Sequence, residues 1–111
     1  MQKFKIIFDT ATSHDLAAIA TYRMEYLQYS PVDTKVYLRQ LQNAFREKLD
    51  SSPLRWPTSR EKNLHRLGLR ICFGKRVAPY CAIFKVFPQT QLVLVYRIVH
   101  ERSDYASLFQ T

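Results

Sequence analysis

Apolar and polar positions along the chain change period several times, and each change predicts an element. Phe4, Ile6 and Phe8 alternate with Lys3, Lys5 and Ile7, the two-residue period of a strand with one apolar face. Asp9 to Thr12 breaks that pattern, with Thr12 or Ser13 suited to cap a helix. Leu16, Ile19, Ala20, Met24 and Leu27 then recur at helical spacing, which predicts a first helix over about residues 13–29. Ser30-Pro31-Val32-Asp33 is a start signal: a capping hydroxyl, a proline at the first helical position and a carboxylate in the first turn. Behind it Tyr37, Leu38, Leu41, Ala44, Phe45 and Leu49 form one stripe. The second helix should run to about Asp50, where Ser51-Ser52-Pro53 stops it. So short a link predicts an antiparallel helical hairpin.

Residues 51–65 carry three turn signals and no sustained period, a loop long enough to suggest function. Three strand-like runs follow: about Leu67 to Phe73, about Tyr80 to Phe87, and Gln91 to His100. The last is apolar on both faces through Leu92 to Tyr96, as a central strand would be. Ser103 to Phe109 suits a short terminal helix with Asp104 near its start. The expected order is β-α-α-β-β-β. The fold class is α+β, a helical hairpin packed on one face of a twisted, mainly antiparallel four-stranded sheet with the other face partly open.

Composition narrows the class. With 111 residues, 47% hydrophobic and 23% charged, the chain suits one globular domain spanning residues 1–111. No long apolar run follows Lys3 and Lys5, so no signal peptide is expected, and no segment approaches the ~20 apolar residues of a membrane span. A cytoplasmic protein without membrane partners is the expectation. The net charge of +8 is placed unevenly: seven Lys and Arg face six Asp and Glu in residues 1–50, but ten face three in residues 51–111. Such a basic second half suits an acidic partner, either nucleic acid or an acidic protein segment; the plainer reading is a solvated basic surface.

The chemistry-bearing residues are sparse. Cys72 and Cys81 lack C-x-x-C spacing and are expected as buried, reduced thiols. His14, His65 and His100 fall in three different elements, so no metal site is expected. The two glycines, Gly68 and Gly74, form no phosphate loop, and no cofactor is expected. Strand parity sets Leu69, Ile71 and Phe73 against Arg70 and Cys72, and Tyr80, Ala82, Phe84 and Val86 against Cys81, Ile83, Lys85 and Phe87. It also sets Leu92, Leu94, Tyr96 and Ile98 against Val93, Val95, Arg97 and Val99. If the registers agree, Arg70, Lys85 and Arg97 share the non-helical face and could bind phosphate or carboxylate. For Lys85 the simpler expectation is snorkelling to water, whereas Arg97, inside the most apolar strand, should have a specific partner.

The run Tyr96-Arg97-Ile98-Val99-His100-Glu101-Arg102-Ser103-Asp104-Tyr105, followed by Leu108-Phe109, resembles the carboxyl-terminal signature of the RelE/ParE toxin superfamily. Leu67-Gly68-Leu69-Arg70 and Phe73-Gly74-Lys75-Arg76 resemble that family's strand and hairpin turn, and Tyr80 to Val86 its next strand. The second-helix stripe and Pro53 match in order as well. The resemblance implies the fold reached above. It also implies a growth-inhibiting, plasmid-stabilising toxin of a type II toxin–antitoxin pair, neutralised by a cognate antitoxin. Arg70, Lys75, Arg76, Arg97, Arg102, Tyr105 and Phe109 are then the expected partner-binding residues.

Two branches of the family imply different chemistry. RelE-like members cut messenger RNA on the ribosome; here His100, Arg102, Tyr105 and Arg97 would serve, with Glu61 a remote base. ParE-like members bind and block DNA gyrase. The position where nucleolytic members often carry an Arg falls near Cys81, and Arg60, Lys62 and Arg66 form no evident catalytic pair. The resemblance therefore leans toward gyrase inhibition without enzymatic activity, with the ribosome-dependent endoribonuclease as alternative and an inactive antitoxin-binding homologue as the third reading.

Overall fold

The computed structural model describes residues 3–74 and 78–109. Strand β1 (Lys5–Phe8) leads into helix α1 (Thr10–Glu25) and helix α2 (Pro31–Asp50). A 3₁₀ turn (Pro53–Arg55) and a short helix α3 (Lys62–Arg66) precede strands β2 (Arg70–Phe73), β3 (Tyr80–Phe87) and β4 (Leu92–His100). A second 3₁₀ turn (Pro88–Thr90) joins β3 to β4, and a third (Tyr105–Phe109) ends the described chain. The sheet order is β1-β4-β3-β2, with β1 parallel to β4 and the other pairs antiparallel. The helical hairpin carries the chain from β1 toward β2 at the opposite edge, and β2 and β3 then return it to β4 beside β1, a long connection of the kind a parallel pairing requires.

Helix α2 falls where its start and stop signals put it. Ser30 Oγ accepts the Asp33 N–H at 3.0 Å with Pro31 in the first turn, and Leu41, Phe45 and Leu49 are buried. Helix α1 differs from expectation at both ends. Its N-cap is Asp9, whose carboxylate accepts from the Ala11 N–H, while Thr12 is buried and donates its hydroxyl to the Asp9 carbonyl at 2.6 Å. At the other end Tyr26 and Leu27 both donate to the Tyr22 carbonyl, and Gln28 enters the left-handed region at φ 60. That turn ends α1 before Leu27, leaving Leu27 half exposed.

The expected loop of residues 51–65 holds α3, and β2 starts later than Leu67 for the same reason. Glu61 caps α3 by accepting the Leu64 N–H at 3.0 Å. Gly68, at φ 72, closes it by donating to the His65 carbonyl at 3.0 Å. Leu67 and Gly68 thus belong to a helix stop rather than to a strand. Gly74 meets a different demand: a Cβ there would lie 2.7 Å from the Ala78 carbonyl oxygen.

The two sheet faces carry unequal cores. Cys72, Ala82, Phe84, Val93, Val95 and Ile98 pack against Ile19, Leu41, Phe45 and Leu49 of the hairpin. On the opposite face Leu69 and Ile83 pack with Leu64 of α3, flanked by Tyr96, Val99, Tyr105 and Phe109. The period of β4 breaks between these sets. Phe84 pairs with Val95 but Ile83 with Arg97, so Tyr96 is the extra residue of a bulge.

The bulge and the registers undo the expected triad of cations. Arg70 pairs with Phe84, which puts it on the helical face with Cys72, and its guanidinium donates to the Trp56 carbonyl at 2.6 Å. Lys85 lies on the other face, beside Gly68 and the Leu69–Tyr96–Phe109 cluster. Arg97 closes on Asp15 of α1 in a bidentate ion pair at 2.9 and 2.7 Å. Parity had assumed an unbroken two-residue period and matched registers, and neither holds. The specific partner expected for Arg97 is Asp15, whose carboxylate also accepts the Ile98 N–H at 2.9 Å. This contact ties α1 to the sheet at the bulge.

Candidate functional site

The open face of the sheet is bounded by the loop from Trp56 to Glu61 and by the start of the terminal 3₁₀ turn. Between them lies a cleft of about 580 Å³, with Ile71 and Phe73 on one side and Tyr105 on the other. Local hydrogen bonds hold its rim. Ser59 N–H donates to the Leu69 carbonyl at 2.9 Å, and Ser59 Oγ accepts the Glu61 N–H at 3.1 Å. The His65 ring bonds the Ser59 carbonyl at 3.1 Å through Nδ1, a carbonyl being able only to accept. Asn63 donates to the Ala106 carbonyl at 3.1 Å, joining α3 to the terminal turn that carries Tyr105.

The reactive groups on this face are few and largely engaged. The Glu61 carboxylate is spent on capping α3. Cys81 pairs with Phe73 and Val99 in the sheet and is fully buried. Burial, with smaller contributions from Glu101 and Cys72, pushes its thiol up to about 12, so it is neutral near pH 7. Burial likewise raises the Tyr105 phenol, with Cys81 and Glu61 adding to the effect. Tyr105 is therefore an uncharged aromatic donor at the cleft wall.

The expected site residues do not gather at one place. Tyr105 borders this cleft and Phe109 packs nearby against the small cluster. His100 faces the opposite direction, into a cavity against α1, with its ring edge-on to Tyr80 at 5.8 Å. Arg97 is occupied by Asp15, Arg70 by the Trp56 carbonyl, and Arg102 is exposed at the turn after β4. Lys75 and Arg76 lie outside the described residues. Ser59 and Asn63, which shape the rim, were not singled out by the sequence; the unusual length of their loop was the signal that pointed there. Among the described residues no group of three or more His, Cys, Asp or Glu could hold a metal ion. No helix among them is long and apolar enough to cross a membrane.

This architecture, a two-helix hairpin on one face of a four-stranded mixed sheet, has a counterpart among solved structures. It is similar to a chain in the crystal structure of the toxin-antitoxin complex RelBE2 from Mycobacterium tuberculosis, with a TM-score of 0.57 and 20% sequence identity. The match covers 89% of this chain and 99% of that one, so the likeness extends over nearly the whole fold. No protein-family model matches the sequence, and no curated protein does.

Proposed function

We propose that this chain is the toxin of a type II toxin–antitoxin pair, and that it halts bacterial growth by binding DNA gyrase rather than by cutting RNA. The observation that carries the second half is the character of the open face. Its carboxylate is committed to a helix cap, its strand thiol keeps its proton, Arg60 is the one cation among the described residues of its cleft, and the large side chains there are Trp56, Ile71, Phe73 and Tyr105. Aromatic and aliphatic walls with neutral polar tips suit a protein contact; a phosphate-cleaving centre needs a free base and convergent cations. The likeness in fold to a chain of a toxin-antitoxin complex supports the first half. So do the basic second half of the chain and the side chains of Tyr26 and Val32, which stand 75% and 72% exposed at the hairpin tip where a partner could cover them.

The competing reading is a ribosome-dependent endoribonuclease, favoured by one arrangement: Tyr105, Arg60 and Glu61 border the same cleft. Induction without an antitoxin, followed by pulse labelling with thymidine and methionine, separates the two. Gyrase inhibition predicts an early fall in thymidine incorporation while translation continues; early loss of methionine incorporation overturns it. Tyr105→Phe sharpens the result, because it keeps the ring and removes the phenolic proton. Toxicity should persist in a gyrase binder and collapse in a nuclease.

A further inference from the structure

On the helical side of the sheet, between the last turns of α1, the start of α2 and the adjoining ends of β3 and β4, lies a second cavity of about 560 Å³. Arg23 is flattened at its wall between two rings. The guanidinium carbon stands 4.2 Å from the Tyr29 ring centroid and 3.8 Å from that of Tyr37. This stack fixes the plane of the fork and holds a cation in a partly desolvated place. Among the described residues no carboxylate pairs with Arg23, and its Nε is buried without an acceptor.

Tyr22, Tyr37, Tyr80 and His100 complete the polar wall. Burial raises both the Tyr37 and Tyr80 phenols, so each is a neutral donor near pH 7. His100 Nδ1 accepts the Arg102 N–H at 3.1 Å, which leaves the hydrogen of the neutral ring on Nε2. The rest of the wall is apolar, with Ile19, Leu27 and Pro79. The volume and the mixture, an apolar enclosure with a few polar groups, are those of a small-ligand site.

The charge count selects the ligand. Among the described residues of the lining Arg23 is the only Lys or Arg, so one negative charge is balanced there and a phosphate dianion is not. A planar fork presents two parallel N–H groups, the match for the two oxygens of a carboxylate. We propose that this cavity binds a carboxylate carried on an apolar or aromatic body, with Arg23 as its charge partner and the tyrosines and His100 as neutral donors. The same chemistry is offered by a free aromatic acid and by an acidic residue flanked by large apolar side chains in a peptide. The site does not depend on whether gyrase or RNA is the target.

The test is a heteronuclear NMR titration of the full chain, made by cell-free synthesis, with four probes. These are 3-phenylpropionate, its carboxamide, phenyl phosphate, and the peptide acetyl-Leu-Glu-Phe-amide. Saturable shifts at Tyr22, Arg23, Tyr37 and Tyr80 with the acid or the peptide, weakened at least about tenfold for the carboxamide, support the site. The tighter of the acid and the peptide identifies the natural source. Arg23→Gln should weaken the better probe by a similar factor, with the folded state checked in the same spectra. Should that variant not fold, the acid and carboxamide pair on the unaltered chain still decides. Equal binding of acid and carboxamide overturns the proposal, as does absence of shifts with either carboxylate. Tighter binding of phenyl phosphate than of both carboxylates overturns the choice of ligand.

Discussion

The two faces of the sheet are built from the same strands and do different work. On the hairpin face, Phe45, Leu49, Phe84, Val93 and Val95 are each 1% exposed or less, and two helices of 16 and 20 residues cover them. On the open face, a five-residue helix and a five-residue 3₁₀ turn cover a cluster centred on Leu64, Leu69 and Ile83. Burial of apolar area scales with the size of the covering element, so the first face should carry most of the stability. The second can open locally without global unfolding. A binding cleft fits there because short covering elements leave Ile71, Phe73 and Tyr105 at an accessible edge.

The largest expected break in that contrast is Phe45→Ala, which should cost about 3–5 kcal/mol because the aromatic is enclosed by both helix and sheet. Denaturant unfolding measures it. Leu64→Ala should cost less, about 2–3 kcal/mol, because the short elements around it can collapse toward the gap. If Leu64→Ala proved the more damaging, the ranking of the two faces would be wrong. Hydrogen exchange adds a second measure: amides of α3 and of the turn at Tyr105–Phe109 should exchange before those of β3 and β4.

Asp15→Ala comes next. It removes three hydrogen bonds and strands Arg97, whose side chain is 29% exposed against 9% for Asp15 and so keeps partial access to water; about 1–3 kcal/mol is expected. A double-mutant cycle with Arg97→Met should recover a substantial part of that loss; simple additivity would show that the pair does not act as a unit.

A smaller effect depends on pH. Because the folded Cys81 thiol titrates at about 12 and an unfolded one near 9, the folded state alone keeps the proton between those values. Its contribution is intact below pH 9 and declines as pH rises toward 12, by up to about 1.4 kcal/mol per pH unit. The Tyr37, Tyr80 and Tyr105 phenols, also raised above their ordinary value of 10.0, act in the same direction once pH passes that value, and they do so equally in both proteins compared. Thermal midpoints measured from pH 8 to 11 should therefore fall less steeply for Cys81→Ala than for the unaltered chain, and parallel slopes would refute the assignment.

The smallest effect is Glu61→Ala, a lost N-cap worth about 1 kcal/mol, confined to α3 and read by the same exchange experiment.

Elements with long periods and strong punctuation were legible in the sequence alone. Helix α2, the two long strands, the hairpin and its single covered face follow from local physics, since a capping hydroxyl, a proline and an apolar stripe act within a few residues of one another. The loop before β2 was marked by its length, but α3 within it was not, because five residues give too little of a period to detect. Tyr105 was marked by resemblance, yet its separation from His100 was not. Strand parity grouped the side chains within β2 and within β3 correctly, but the β2–β3 register sets Arg70 opposite Phe84 and so parts it from Lys85, and in β4 one bulged residue shifts the faces at Arg97, which turns to Asp15. The stack of Arg23 between Tyr29 and Tyr37 likewise joins residues from the end of α1, the connecting turn and α2. Local propensity acts over one or two turns of chain, and it determined the elements. Register, bulge and inter-element contact depend on pairs as far apart as Lys5 and Leu92, and only the packed structure chose among them.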